Sequence, residues 1–557
     1  MPPSLRIVAA ALWLSFAAAA TAAAPDPAAT RAYIDRAWGT LTRSLDDCSA
    51  LAADDGDKDR KPTVLYLPAD LPADPRIDRA AARCKAEVRR LPRPIARVGE
   101  LDPRSLGEQG LLYLPEPYVV PGGFFNEMYG WDSYFIVLGL LADDREALAR
   151  DMVDNALFEV AHYGAVLNAN RTWYLTRSQP PFLGEMIRAV LDDPASFPDR
   201  KAADAWLARA YPLAVRDHAT WLRSEHRAGD TGLARYFDYG SGPVLEMHDA
   251  GYLRKVIAWA LAHPGQAKGY LVEASQHPDA AEAERLKATS CDVQVSQVCA
   301  DAWTDGHRLS ADYYLGDRAM RESGFDVNFH FGPYAGATHH YAPVGLNSLL
   351  YRYELDLAAF ARRLGRGDDA ARFAQAASAR KAAIDRYLWR PDAGMYLDYD
   401  FVAGKPAGDP YITTFYPLWA GAASPAQARA VRAKLPLFER KGGLAMSTNA
   451  SGAQWDAPYG WAPTNWLAVA GLQAHGFHDD AARIARAFTT TVDRSLAHDG
   501  TIREKYNMES GNADVRVTAG YADNVIGFGW TNGVYLKLRE LLEAHAAEKA
   551  DAAVAVP

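Results

Sequence analysis

Apolar residues recur at helical spacing over long stretches of this chain, and strand-like alternation is sparse. The pattern predicts helices over residues 145–163, 201–224, 344–364, 368–388, 425–435, 464–475, 478–496 and 534–545. Several follow one another across short turns: Leu364-Gly-Arg-Gly-Asp368 joins two of them, and Gly476 separates two more. Helix pairs repeated along 557 residues predict an all-α toroid. The residues show no tight repeat, so a uniform solenoid is not expected. Between the helices lie loops 121–135, 168–182, 321–334, 452–466 and 504–533, dense in glycine, aromatic rings and carboxylates. A helical scaffold that presents such loops at one end accounts for both features.

Composition narrows the class. Hydrophobic residues make up 49% and charged residues 23%, ordinary globular values that exclude wholesale disorder. A net charge of -9 argues against a nucleic-acid partner. The chain carries 14 Trp and 28 Tyr, which points to a flat-ring binding surface. Residues 7–20 are apolar, small residues run to Ala24, and Pro25 follows. Residues 1–24 are therefore expected as a signal peptide cleaved near Ala22–Ala24, leaving an exported, periplasmic protein. The run is short and rich in alanine, so no membrane anchor is expected in the mature form.

Four cysteines allow three full pairings, and sequence proximity favours Cys48–Cys84 with Cys291–Cys299. No C-x-x-C spacing suggests zinc. The acidic stretch Asp54-Asp-Gly-Asp-Lys-Asp59 lacks the spacing and closing Glu of a calcium loop and reads as a solvated turn.

Five loop segments carry the candidate chemistry. They are Pro121-Gly-Gly-Phe-Phe-Asn-Glu-Met-Tyr-Gly-Trp-Asp-Ser-Tyr-Phe135; Asn168-Ala-Asn-Arg171 with Thr176-Arg-Ser-Gln-Pro-Pro-Phe182; Arg321-Glu-Ser-Gly-Phe-Asp326; Gln454-Trp-Asp-Ala-Pro-Tyr-Gly-Trp-Ala-Pro463; and Glu504-Lys-Tyr-Asn507 with Gly527-Phe-Gly-Trp-Thr-Asn-Gly533. Asp, Asn, Gln and Arg can grip vicinal hydroxyls. Trp131, Trp455, Trp461 and Trp530 can stack on the apolar face of a sugar ring. Carboxylates on separate loops can flank a glycosidic bond. From chemistry alone, the set suits a neutral polyhydroxylated ligand.

These segments resemble those of the inverting trehalases, particularly the periplasmic bacterial enzymes, over residues 110–540. The segment 121–135 is similar to the family's first signature and 454–463 to its second. The resemblance implies an (α/α)6 barrel that hydrolyses α,α-trehalose with inversion, without metal or organic cofactor. The partner it implies is a small disaccharide; a monomer is expected. The organisation expected is an N-terminal extension over 25–100 packed on the barrel, a catalytic barrel over 101–545, and a flexible tail over 546–557. By motif, the general acid is Asp326 and the general base Glu504. Inversion requires the two carboxyls about 6.5–9.5 Å apart, with a water between base and sugar. Asp326 should then have a raised pKa and Glu504 should stay ionised near neutrality. Sugar contacts carry over to Phe125, Tyr129, Trp131, Asp132, Asn168, Arg177, Gln179, Glu246, Gly324, Trp455 and Trp530, with Asp456 beside Trp455 and Arg177 as the cation near the acid.

Departures from the family pattern bear on specificity. Phe124 stands where the signature has Arg, and Phe325 replaces the Trp beside the acid. No Arg follows the acid in Val327-Asn-Phe-His-Phe-Gly-Pro333, and Gly242-Pro-Val-Leu-Glu246 keeps only the Glu of its motif. A glycine-rich, Glu-containing stretch becomes Ala519-Gly-Tyr-Ala-Asp-Asn-Val-Ile526. Each charged hydrogen bond lost costs roughly 1.5–3 kcal/mol, unless Arg321, His330 or Asp523 compensates. Two alternatives stay open: a related inverting glycosidase for another α-linked sugar, and a sugar-binding protein without catalysis.

Overall fold

The computed structural model describes residues 26–51, 63–247, 251–273, 303–304, 306–521 and 523–554. Six helices pack side by side in a closed ring: Asp132–Leu141, Leu183–Asp192, Val344–Arg363, Tyr416–Ala420, Ala462–Ala474 and Gly529–Val554, the last returning to the first. Outside them lie Glu146–Tyr163, Arg200–Thr220, Gly367–Ala383, Pro425–Arg432 and His478–Asp499, each following an inner helix in the chain. Helix Pro27–Leu41 takes the sixth outer place, against His478–Asp499 and Gly529–Val554. The architecture is the (α/α)6 barrel. No helix among the described residues is long and apolar enough to cross a membrane.

The two layers follow from two kinds of helix. The outer helix Gly367–Ala383 buries Ala370, Phe373, Ala377 and Arg380, one face at helical spacing. The inner helix Asp132–Leu141 buries every residue from Asp132 to Val137, then Gly139 and Leu140. A helix surrounded by protein needs no polar face, so it carries little 3.6-residue periodicity. That is why Asp132–Leu141 is not among the helices expected from the pattern; Leu183–Asp192 is absent from them although it has one buried face. The expected 368–388 helix ends at Ala383 and is followed by one wider turn, Ile384–Leu388.

The last helix also exceeds its expected bounds. It runs from Gly529 to Val554, through residues expected as a flexible tail. Lys549 Nζ reaches Asp479 Oδ1 at 2.7 Å and His545 Nε2 reaches the same atom at 3.3 Å, tying this stretch to the neighbouring outer helix.

The N-terminal region is not merely attached to the barrel. Ile34, Trp38 and Leu41 of the first helix belong to the main core. Beyond it, Val64–Leu67 lies in parallel between Glu87–Arg90 and Leu111–Leu112, beside helix Pro75–Cys84. The Cys48–Cys84 disulfide, with a Cα–Cα distance of 5.3 Å, staples this region. Cys291, Cys299, the acidic stretch 54–59 and residues 1–24 lie outside the described residues.

The ring closes by direct backbone contact. A Cβ on Gly139 would stand 2.3 Å from Gly533 Cα, and one on Gly533 would stand 2.1 Å from the carbonyl oxygen of Phe135. Both sites face backbone, which cannot swing aside as a flexible side chain can. Gly533→Ala should therefore lower stability by about 1–3 kcal/mol. Urea unfolding midpoints of the two proteins measure this, and an unchanged midpoint would show that the seam can take a methyl group.

Candidate active site

Several loops deliver their side chains at the N-terminal ends of inner helices. Asp132 opens the first inner helix, Trp461 caps Ala462–Ala474, and Trp530 is the second residue of the last. The helix Ala311–Glu322 leads into Ser323-Gly-Phe-Asp326. The short ladder Tyr459–Trp461 with Lys505–Asn507, in register Trp461↔Lys505, sets Glu504 beside the tryptophans.

Three carboxylates share this space. Burial pushes Asp326 up to about 6; Arg321 and, more weakly, Arg177 oppose the rise, while the charge of Glu504 adds to it. Burial also lifts Glu504 above the ordinary carboxylate range, while Lys505 and Tyr521 pull it back. Asp132 is held well above its usual range by burial, then by the charges of Glu504 and Asp326. Asp326 and Asp132 thus both sense the charge of Glu504.

The backbone of Asp326 and the side chain of Glu504 are mechanically linked. Gln454 Nε2 donates to the carbonyl oxygen of Asp326. Gln454 Oε1 accepts from Lys505 Nζ at 3.0 Å, and Nζ stands 3.6 Å from Glu504 Oε2. On the other side of Glu504, the Tyr521 hydroxyl donates to Oε1. Trp530 Nε1 donates to the Glu504 carbonyl at 3.2 Å. Lys505 Nζ also lies 3.7 Å from the centre of the Tyr521 ring, a cation–π contact. Burial lowers the Lys505 pKa, and the charge of Glu504 opposes that fall.

A second cluster forms from the 168–182 loop. Arg177 Nε donates to Asn168 Oδ1 at 2.7 Å, and Arg177 Nη2 pairs with Glu246. Asp238 lies 3.5 Å from Arg177 Nη1 and 2.8 Å from Arg318. Gln179 Oε1 accepts from the Trp131 backbone at 2.9 Å, fixing the start of the first inner helix. Phe125 and Tyr129 meet edge to face at 5.4 Å, both half-buried. Gly324 adopts φ +74°, and a Cβ there would stand 2.9 Å from Trp131, so only glycine lets the Asp326 loop approach that ring.

Several expectations need correction. The four tryptophans do not all offer a face to a ligand. Trp461 is fully buried, stacked on Trp455 at 3.8 Å between centroids. Trp131 lies 5.9 Å from Trp455 and 5.4 Å from Trp530, and these three keep only 2–4% of their surface exposed. Rings gathered at the barrel mouth gain more by packing on one another than by standing free. Asp456 is a structural residue: it accepts from Phe329 N at 2.8 Å and Ser451 Oγ at 2.6 Å. His330 cannot replace a sugar-binding Arg, because its Nε2 bonds Asp398 and its ring stacks on Tyr411 at 4.2 Å. Asp523 is exposed. Arg321, rather than Arg177, exerts the larger pull on Asp326. Lys505, Tyr521 and Gln454 were absent from the candidate residues, although Lys505 and Gln454 stand inside the very motifs that were recognised.

Known proteins decide the family. The trehalase family model matches residues 41–543. The chain is 33% identical to a cytosolic neutral trehalase of Pyricularia oryzae across 93% of its own length and 74% of that protein's. It is 31% identical to a cytosolic neutral trehalase of Saccharomyces cerevisiae across 91% of this chain and 71% of the relative. The solved structure of a neutral trehalase from Saccharomyces cerevisiae superposes with a TM-score of 0.76 at 30% identity, covering 95% of this chain and 96% of that one.

The chain belongs to the trehalase family. It is a glycoside hydrolase. The same comparison overturns the expected periplasmic location: these trehalase relatives are named cytosolic. The export reading had rested on residues 1–24, which lie outside the described residues.

The trehalase pocket has a thermodynamic consequence. Asp326 is held at about 6 rather than 3.8, so the folded state binds its proton more tightly than the unfolded state does. Stability is lost as pH rises through that window, by up to about 3 kcal/mol at neutral pH. Asp326→Asn removes the charge and should melt at a higher temperature at pH 7, with the gain vanishing below pH 4. Calorimetry across pH measures this, and an Asn variant no more stable at pH 7 would show that the carboxylate is better solvated than its burial suggests.

Proposed function

We propose that this protein hydrolyses α,α-trehalose to two glucose molecules with inversion. Asp326 acts as general acid and Glu504 as general base. The observation that carries this reading is the Gln454 bridge, which joins the Asp326 backbone to the lysine beside Glu504. It ties the loop that carries Asp326 to the lysine beside Glu504, so two carboxylates distant in the chain belong to one cluster.

The chemistry follows from their states. Asp326, lifted by burial, retains its proton into mildly acidic solution and gives it to the glycosidic oxygen as the C1–O bond breaks. Glu504 Oε1 is occupied by Tyr521, and Oε2 accepts no hydrogen bond from the protein. Oε2 therefore takes the proton from the water that attacks C1 on the opposite face. One glucose leaves with the proton of Asp326, and the other leaves with inverted configuration. Proton exchange with solvent restores both groups. Arg177, Asn168, Glu246, Gln179 and Asp132 line the side where sugar hydroxyls are bound, with Phe125, Tyr129, Trp131, Trp455, Trp530 and Gly324 shaping the wall.

A second reading has its own support: Phe124 replaces the family's Arg and is 68% exposed. An apolar group at that position favours a related α-linked substrate with a less polar second unit.

Two measurements test these readings. Purified protein should release glucose from trehalose, and Asp326→Asn or Glu504→Gln should each lower kcat by about a hundredfold or more. Folded wild-type protein that is inert on trehalose but cleaves another α-glycoside would transfer the assignment to the second reading. The alkaline limb of kcat/KM should lie near pH 6, set by Asp326. Arg321→Gln removes a charge that lowers the Asp326 pKa, so that limb should move to higher pH. A limb that stays in place would assign it to another group.

A further inference from the structure

A second cluster of side chains lies apart from the pocket, at the start of the helix that leads to Asp326. Asp312 stands in the first turn of Ala311–Glu322, about 15 Å along the axis from Glu322. The loop after Asp326 returns to this point and ends in Thr338-His-His340. His339 Nε2 lies 2.9 Å from Asp312 Oδ1, and His340 Nε2 lies 3.5 Å from the same oxygen. All three ligand atoms fall within 4.8 Å of one another, and the two imidazole rings are 4.0 Å apart.

We propose that Asp312, His339 and His340 form a site for a divalent transition cation of the zinc class. Two imidazole nitrogens and one carboxylate oxygen make a set zinc takes, with water completing the tetrahedron. With ligands at about 2.0–2.1 Å, the edge of such a tetrahedron is about 3.3 Å. The two measured edges bracket that value, so small side-chain rotations suffice to close the set.

The surroundings also limit affinity. The Arg235 guanidinium donates to the His339 carbonyl at 2.9 Å and brings a positive charge close. His339 Nδ1 is buried without a hydrogen-bond partner, so the outer support typical of tight metal histidines is missing. An ion here would clip together both ends of the segment that carries Arg318, Arg321 and Asp326. Its effect would be to hold that segment in place, without touching the substrate.

The test uses the untagged full chain, stripped with a chelator and titrated with Zn²⁺ by calorimetry. One equivalent should bind and raise the melting temperature. Asp312→Asn and His340→Asn, both at partly exposed side chains, should each weaken binding about tenfold or more. His498→Asn, at a histidine with 86% of its side chain exposed, should leave binding unchanged. Co²⁺ in place of zinc should give the intense visible bands of a tetrahedral site, lost in His340→Asn. The proposal is overturned if zinc does not saturate, if both variants bind as the parent does, or if cobalt shows only the weak bands of an octahedral aquo complex.

Discussion

A buried lysine beside a buried glutamate organises the catalytic end of this barrel. Glu504 and Lys505 are almost wholly shielded from solvent, and so is Gln454, which joins them to the acid loop. Shielding a charge is expensive, and a buried pair seldom stabilises a fold more than well-packed apolar groups would. The pair is therefore a poor investment in stability. It holds the Glu504 side chain in direction and moderates its rise in pKa. Asp132 adds a third carboxylate that no cation contacts directly, and it raises the stakes of the arrangement.

The surrounding shell explains why such a pocket persists. Trp131, Trp455, Trp461 and Trp530 form a packed wall against one another, so the pocket's shape does not wait on a ligand. Two of these indoles brace the backbone: Trp461 donates to the Gln454 carbonyl at 3.0 Å and Trp530 to that of Glu504. The aromatic wealth of the sequence is spent mainly on rigidity. At the rim Phe124 and Tyr521 are exposed.

Fold class and the gathering of Asp326 and Glu504 in one cluster were both legible in the sequence, for different reasons. Outer helices such as Gly367–Ala383 have one wet face, and that face writes a period into the residues. Inner helices such as Asp132–Leu141 are enclosed, and their composition says buried without saying helix. Asp326 and Glu504 were found through motif likeness; no local pattern marks them. The roles of Tyr521 and Gln454 were hidden because they depend on pairings across 17 and 128 residues. The fates of His330 and Asp456 were misjudged for the same reason: their partners, Asp398 and the Phe329 backbone, lie far off in the chain.

The glycine seam between Asp132–Leu141 and Gly529–Val554 gives the molecule an unusual dependence on its own completeness. One wall of the pocket is made early by the ribosome and the facing wall, with Glu504 and Trp530, arrives near the end. A shortened polypeptide could wind most of its hairpins and still present an open horseshoe with its greasy interior on view. The ring is sealed only when this last-made helix docks on the first inner one.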